Sequence, residues 1–235
     1  MANSIKQMLL LTDGCSNRGE SPVSAAKEVK RKGITVNVIG IANREPLHRA
    51  AAYEIENIAT AGGGLSRIVT TRDLTQTVQQ ITRRSVSLLI RHEVESVLQK
   101  HMGKTGSLTE LSPETRRSVV QWMEGTEASR TTQLLVLIDT SASMRTKLPA
   151  VRQSLADLYV HLCSHPARCF LSLYTFPTTD VARPISRMLS WTSDANRLRH
   201  WRRRVKVNGI TPTGPALLAA ANEFQHLKEI EHDAL

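Results

Sequence analysis

Several features that mark common classes of protein are absent from this sequence of 235 residues. No apolar run reaches the roughly 20 residues that a membrane-spanning helix needs, and the opening MANSIKQ lacks the pattern of a secretory leader. Aromatic residues form only 4% of the chain, which is few for the stacking surfaces that bind single-stranded nucleic acid. We therefore expect a protein without a membrane span and without the stacking surface of a single-strand binder.

Cysteine is scarce as well, and several catalytic motifs are missing. The three cysteines, Cys15, Cys163 and Cys169, are odd in number and have no zinc-site spacing, which favours a reducing, cytoplasmic setting. We interpret Cys163 and Cys169 as core residues. There is no G-x-x-x-x-G-K-[ST] phosphate loop and no G-x-S-x-G nucleophile elbow. The run Gly62 to Gly64 follows a predicted helix and precedes a predicted strand, the reverse of a phosphate loop, so we interpret it as a sharp turn.

Positive charge is what the chain has in excess. Its net charge is +10 and its pI is about 10.0, which favours an anionic partner. The cations are densest between Asn196 and Lys206, where Leu198, Trp201 and Val205 recur at helical spacing. This spacing predicts a helix whose other side carries Arg197, Arg199, Arg202, Arg203, Arg204 and Lys206. That side is either a solvated surface or a face that docks an anionic partner.

Short apolar or β-branched runs alternate with helical patterns at both ends of the chain. In the first part, the predicted strands are Ile5–Thr12, Ile34–Ile41 and Leu65–Thr70, and the predicted helices are Pro22–Lys32 and Leu47–Ala61. The last part continues with a strand from Gln133, a helix Leu148–His161, a strand Cys169–Phe176, an edge strand within Val181–Leu189 and a helix Pro215–Lys228. The alternation predicts an α/β fold with an open, mostly parallel, Rossmann-like sheet and helices on both faces.

The region between these two parts is helical and lacks strand patterns. One helical pattern covers residues 73–102, which is ~45 Å if unbroken, so we expect a break. Ser112 as N-cap and Pro113 in the first turn begin a second helix that is predicted to run through Met123. The polar residues 125–132 are interpreted as a linker. We therefore predict one domain formed by residues 1–85 and 132–235, with a helical insert over residues 86–131.

The most informative segment is QLLVLIDTSASM, residues 133–144. An unbroken apolar run is followed by Asp139, Ser141 and Ser143 at every second position, which predicts a buried strand of a parallel sheet that ends in polar groups. Open α/β sheets bind ligands at such carboxyl ends. One carboxylate and two hydroxyls suit Mg²⁺ or Mn²⁺. The alternative is that Asp139 and Ser143 only cap the following helix.

LLVLIDTSASM resembles the first strand and metal loop of the von Willebrand factor type A (vWA) family. Its metal-ion-dependent adhesion site (MIDAS) combines D-x-S-x-S with a threonine in a later loop and an aspartate after another core strand. GITPTGPAL, residues 209–217, resembles the threonine loop with Thr211 in the ligand position, and MLLLTDG, residues 8–14, resembles the aspartate segment with Asp13 in the matching position. Because the aspartate segment comes first here, the resemblance implies a circularly permuted vWA fold. The overall resemblance is greatest to small stand-alone vWA proteins of spore-forming bacteria.

The resemblance implies that two adjacent central strands bring together the metal ligands Asp139, Ser141, Ser143, Thr211 and Asp13. Mg²⁺, or Mn²⁺, that keeps exchangeable waters can take up an Asp or Glu carboxylate of a partner protein, which is recognition rather than reaction. The implied function is an adaptor or scaffold in a bacterial cytoplasm, not an enzyme. Asp13 belongs either to the same chain or to the second chain of a swapped dimer.

Two other functions remain open on the sequence. The arginine-rich segment favours an electrostatic binder of nucleic acid or an anionic surface, whose retention would depend on salt and not on metal. An aspartate after a buried strand also resembles phosphoryl-transfer enzymes with an Asp139 nucleophile. Those enzymes usually carry a second acid two residues later, where this chain has Ser141.

Overall fold

A computed structural model describes residues 4–14, 16–43, 47–102, 108, 111–163, 169–180, 182–194 and 211–225. Within α-helices it leaves out the side chains of residues 101, 102, 124, 126–129, 159 and 161–163. The predicted arginine-rich helix, Asn196 to Lys206, lies outside the described residues, as do Cys15 and the side chain of Cys163. None of the described helices combines the length and apolarity needed to cross a lipid bilayer.

The described residues form a six-stranded sheet of order β3-β2-β1-β4-β5-β6. All neighbouring strands are parallel except β5 and β6, which are antiparallel. The strands are Ile5–Thr12 (β1), Ile34–Ala42 (β2), Gly63–Thr70 (β3), Thr132–Asp139 (β4), Cys169–Phe176 (β5) and Ser186–Thr192 (β6). The predicted open and mostly parallel sheet is confirmed, and β1 lies directly beside β4 at its centre.

Helices cover both faces of this sheet. The helices are Pro22–Arg31 (α1), Arg49–Ala61 (α2), Leu74–Met102 (α3), Pro113–Ser129 (α4), Leu148–Cys163 (α5) and Thr213–Asn222 (α6). Buried residues of α1, α2 and α6 pack on one face, and those of α3 and α5 pack on the other. The helix after β1 and the helix after β4 therefore leave toward opposite faces, which opens a crevice between the carboxyl ends of the two strands.

Alternating apolar side chains explain why β1 lies at the centre. Met8 and Leu10 join the core under α1, α2 and α6, whereas Leu9 and Leu11 join the core under α3 and α5. All four side chains are fully buried. Each such side chain contributes about 1.5–3 kcal/mol relative to an exposed one. A strand of this kind is stable only between two layers of helices, so the unbroken apolar run dictates its position.

The middle of the chain differs from its sequence prediction in two respects. The predicted break in α3 is wrong, because α3 is continuous over 29 residues. The predicted linker is also wrong, because α4 continues through Gly125 to Ser129. One glycine in an exposed helix costs only about 1 kcal/mol, and the Arg130 guanidinium at the end of α4 holds the Glu93 carboxylate of α3 at 2.5 Å.

A third, smaller core explains how α3 tolerates its length. Ile5, Val86, Ile90 and Val94 are buried there together with Leu108 and Leu111 at the approach to α4. The far end of α3 thus packs against other residues and does not project alone into water. The boundary drawn at residue 86 lies inside α3, and the division of the chain at residues 85 and 131 stays a prediction.

Smaller differences concern element ends. The strand predicted within Val181–Leu189 is indeed an edge strand but begins at Ser186, after Pro184. Of the run Gly62 to Gly64, which was predicted as a turn, the last two glycines are the first residues of β3. Gly63 has a φ of +69°, and a Cβ on Gly64 would lie 2.2 Å from the Val36 carbonyl oxygen. Close approach of two backbones, together with the turn, explains this run.

We predict that Gly64→Ala destabilises the protein and that Gly125→Ala does not. The added methyl group at Gly64 collides with the backbone of β2, whereas a Cβ on Gly125 meets nothing within 4 Å. Gly64→Ala should therefore lower the free energy of unfolding by about 1–3 kcal/mol, and Gly125→Ala should raise it by roughly 0.5–1 kcal/mol. Urea denaturation measures both changes, and equal stability of the two variants would contradict this description of the β2–β3 contact.

Candidate metal centre

The candidate site lies where β1 and β4 end side by side. Leu11 pairs with Ile138, so the next residues, Thr12 and Asp139, lie opposite each other. Thr12 Oγ1 donates a hydrogen bond of 2.7 Å to Asp139 Oδ2. Asp13 follows directly and points its carboxylate to the loop after β4. The register of the two strands therefore brings both predicted aspartates to one place.

A chain of short contacts joins the two carboxylates. Ser143 Oγ donates to Asp13 Oδ1 at 2.8 Å, and the hydroxyls of Ser143 and Ser141 are 3.2 Å apart. The backbone N–H of Ser141 donates to Asp139 Oδ1 at 2.8 Å. Asp13 and Ser143 belong to the same chain, so the arrangement closes without a second copy.

The loop after β4 is held rigidly on its inner side. Met144 is fully buried in the core under α3 and α5, and its N–H donates to the Ser141 carbonyl at 3.0 Å in a short 3₁₀ turn, Ala142–Met144. Thr140 binds the Phe176 carbonyl at the end of β5 through both its N–H (2.6 Å) and its hydroxyl (2.9 Å). These anchors orient the serines toward Asp13.

The loop does not have the alternative arrangement, in which Asp139 and Ser143 only cap the following helix. Ser141 occupies the N-cap position of the 3₁₀ turn without a side-chain capping bond, and α5 begins only at Leu148. Ser143 Oγ is bonded to a carboxylate and to a second hydroxyl. Ser143 is exposed, whereas Ser141 is buried. The Ser143 hydroxyl therefore lies at the opening of a polar crevice, and the Ser141 hydroxyl lines its interior.

Thr211 is tied to the β1 side of the crevice by its backbone. Its carbonyl accepts hydrogen bonds from Ser16 Oγ (3.1 Å) and from the N–H of Asn17 (3.2 Å). Its own N–H donates to Asn17 Oδ1 at 2.8 Å. Within the described part of the chain, no hydrogen bond involves the Thr211 hydroxyl, and the buried hydroxyl of Thr213 also lacks a partner there. The loop thus holds oxygen donors that the described fold does not use.

Burial dominates the electrostatics of Asp139. Its side chain is fully buried, and this desolvation raises the pKa of the carboxyl above the ordinary value of 3.8. Hydrogen bonds from Thr12 and Ser141 oppose the rise, and the nearby charge of Asp13 adds to it. An ionised Asp139 therefore costs free energy in the folded protein, unless a cation is close.

One charged residue of this site, Lys147, is not predicted by the sequence. Lys147 follows the 3₁₀ turn, and its Nζ contacts Asp13 Oδ2. The Lys147 side chain is only 6% exposed and that of Asp13 only 2%, so the pair is shielded from water. Lysine is almost always an exposed residue, and the sequence around Lys147 offers no periodic signal that would have predicted its burial.

The donor set fits a hard divalent cation. Two carboxylates and the hydroxyls of Ser141 and Ser143 are oxygen donors of the kind that Mg²⁺ prefers. Among the described residues, no group of three or more His, Cys, Asp or Glu side chains is arranged to hold a metal ion, so the candidate centre depends on two carboxylates together with serine hydroxyls. Each of the carboxylate oxygens already accepts one hydrogen bond but keeps further lone pairs for a ligand.

We predict that Asp139→Asn stabilises the metal-free protein. Because the folded-state pKa of Asp139 is raised, its ionisation costs stability as pH rises above 3.8. The neutral amide should therefore raise the free energy of unfolding at pH 7 by on the order of 1 kcal/mol. The gain should disappear below the ordinary pKa of the carboxyl, where Asp139 is protonated in both the folded and the unfolded protein. Urea denaturation in chelator at several pH values measures it, and a less stable variant at pH 7 would contradict it.

Known proteins resemble the chain at the level of both sequence and structure. Residues 2–84 match the family model of the von Willebrand factor type A domain. The protein YabS of Bacillus subtilis (strain 168) is 38% identical over 95% of this chain and 91% of its own length. A crystal structure of an uncharacterized protein from Alicyclobacillus acidocaldarius subsp. acidocaldarius DSM 446 superposes with a TM-score of 0.86 at 36% identity, with 97% of each chain covered. The chain therefore belongs to the same bacterial family as YabS, and its fold is of the vWA type.

Proposed function

We propose that this protein is a metal-dependent interaction module, an adaptor that binds an Asp or Glu side chain of a partner protein in the bacterial cytoplasm. The observation that carries this proposal is the continuous contact chain from Asp13 through Ser143 and Ser141 to Asp139 at the junction of the two central strands. The carboxylates of Asp13 and Asp139 exceed the single ammonium of Lys147 by one negative charge, which favours a bound cation. The site lies at the carboxyl ends of the strands, where open α/β sheets bind ligands.

Two kinds of side chain in the crevice would hold Mg²⁺ or Mn²⁺, hydroxyl groups and carboxylates. Ser141 and Ser143 would supply neutral hydroxyl ligands, with Thr211 as a third, and Asp13 and Asp139 would offset the charge of the cation directly or through water. When bound, the cation would supply an electropositive centre with affinity for a carboxylate. Ser143 is exposed, so a partner carboxylate would approach along its side of the crevice.

The permuted order of the vWA segments belongs to the same proposal. The strand that ends in Asp13 and the strand that ends in Asp139 are parallel neighbours, although some 120 residues separate them in the chain. The helix after Thr211, α6, packs on the sheet face that also carries α1. This packing supports a circular permutation of the vWA fold, in which the segment with Asp13 precedes the segments with Asp139 and Thr211 in the chain.

The burial of Asp139 supports a binding role over catalysis. A phosphoryl-transfer nucleophile must reach the substrate, yet both oxygens of Asp139 accept hydrogen bonds below the surface. The second acid of such enzymes is replaced by Ser141. We infer that Asp139 shapes the site and does not attack a substrate. Release of phosphate from an ester with Mg²⁺, lost in Asp139→Ala, would contradict this inference.

We predict that Mg²⁺ raises the melting temperature of the wild-type protein. Binding to the folded state alone stabilises it by about 2.7 kcal/mol when the free ion is at 100 times its dissociation constant. Asp139→Ala should abolish the shift and Ser143→Ala should reduce it, since each removes an oxygen donor. Ser24→Ala, at an exposed serine of α1, is the matched control and should leave the shift unchanged. Absence of a shift with both Mg²⁺ and Mn²⁺ in the wild type, together with no heat of binding in calorimetry, would refute the proposal.

We also predict that partner capture depends on the metal. Immobilised wild-type protein with Mg²⁺ should retain a partner that is released by chelator and is absent with Asp139→Ala. The released protein, purified, should lose binding when its own contacting Asp or Glu is replaced by the corresponding amide. Retention that survives chelator but is lost as salt rises would instead favour the electrostatic function of the segment from Arg197 to Lys206.

A further inference from the structure

We propose that Lys147 is a built-in cation that weakens metal binding by the site and strengthens the hold of the loaded site on an anionic ligand. The inference rests on the proposed function, because it concerns the same metal centre. It assigns to Lys147 a charge-setting role, since Lys147 acts on the cation and on the ligand through its own positive charge and not as a ligand.

The first support is the placement of the ammonium group. Lys147 Nζ contacts Asp13 Oδ2, while Ser143 Oγ donates to the other oxygen of the same carboxylate. One carboxylate therefore faces an ammonium group on one side and a predicted metal ligand on the other. Any cation bound by Asp13 Oδ1 and Ser143 lies within a few ångströms of a second positive charge.

The second support is that the Lys147 side chain is buried. Its side chain is 6% exposed, and its backbone N–H is fixed to the Met144 carbonyl at 2.9 Å. The neighbouring Leu148 is buried under the sheet at the start of α5. An exposed lysine could turn away from an incoming metal and be screened by salt. This one remains in the site, where screening is weak.

The charges of the site then decide the sign of both effects. Without metal, the ionised carboxylates of Asp13 and Asp139 and the ammonium of Lys147 sum to −1. A divalent cation changes the sum to +1, and one carboxylate of a ligand brings it to zero. Without Lys147 the corresponding sums are −2, zero and −1. Lys147 therefore opposes entry of the metal and favours entry of the anion that follows.

A role of Lys147 in folding alone predicts a different pattern. If Lys147 only held Asp13 in place, its removal would weaken metal binding, and anion binding would fall as a consequence. The charge-setting role predicts changes of opposite sign in two separate equilibria. A neutral residue at this position should bind the metal more tightly and the anion less tightly.

The experiment compares Lys147→Met with Arg145→Met. Arg145 is an exposed cation two residues away in the same loop, so the control makes the same change of charge at a solvated position. Mn²⁺ binding is titrated by the paramagnetic resonance of the free ion. Acetate is then titrated against the Mn²⁺-loaded protein, with the water-proton relaxation rate as readout, because a carboxylate that displaces a metal-bound water lowers it.

For Lys147→Met we expect Mn²⁺ to bind about tenfold more tightly and acetate about tenfold more weakly than in the wild type. A tenfold change is the order of effect that one unit charge has on another charge a few ångströms away in a protein. Lys147→Arg, which keeps the charge, should restore wild-type behaviour in both titrations. Arg145→Met should change each constant by less than about twofold. Lys147→Gln serves as the neutral variant if Lys147→Met does not fold by circular dichroism.

The outcomes separate this inference from the proposed function. Wild-type protein that binds no Mn²⁺ overturns both. Wild-type protein that binds Mn²⁺ and acetate, with neutral variants that bind Mn²⁺ equally or more weakly, overturns the role of Lys147 and leaves the proposed function intact. The same holds if acetate binds the neutral variants as tightly as it binds the wild type.

Discussion

The parallel pairing of β1 with β4 is the constraint on which the rest of the structure depends. It runs from Ile5 opposite Thr132 to Leu11 opposite Ile138. Both strands are buried on both faces, so a slip of one residue would exchange every side chain between two different cores. The hydrophobic pattern therefore fixes the register, and the register places the polar groups at the strand ends within hydrogen-bonding distance. Packing deep in the sheet sets the geometry of the crevice above it.

The crevice contains residues that the stability of the fold alone would not favour. It holds two carboxylates below the surface, one of them next to a buried ammonium group. Buried ion pairs gain little net stability, because removing each charge from water costs about as much as their attraction returns. Apolar side chains of similar size would suit the fold better. A concentration of buried charge at the switch point of an otherwise apolar sheet is therefore more readily explained by ligand binding than by folding.

Most of the secondary structure could be predicted from the hydrophobic periodicity and from the turn and capping residues that bound helices and strands. The strands Ile5–Thr12 and Cys169–Phe176 have the predicted bounds, because apolar runs between turn residues have few alternatives. The errors lie where tertiary contacts outweigh local signals. Gly125 and its polar neighbours look like a linker, yet α4 continues through them. The run Gly62 to Gly64 has the pattern of a turn, yet Gly64 lies within β3 and is needed because its backbone lies against Val36.

By itself, the sequence determined the α/β class, the central strands and which oxygen-bearing side chains follow them as candidate ligands, since apolar runs and their polar ends are local properties of the chain. Only the tertiary structure decided that Asp13 and Ser143, 130 residues apart, share a hydrogen bond within one chain. It alone also revealed Lys147 beside Asp13. The burial of a lysine depends on which strand end packs over it, and that is fixed by the register of strands far apart in the sequence.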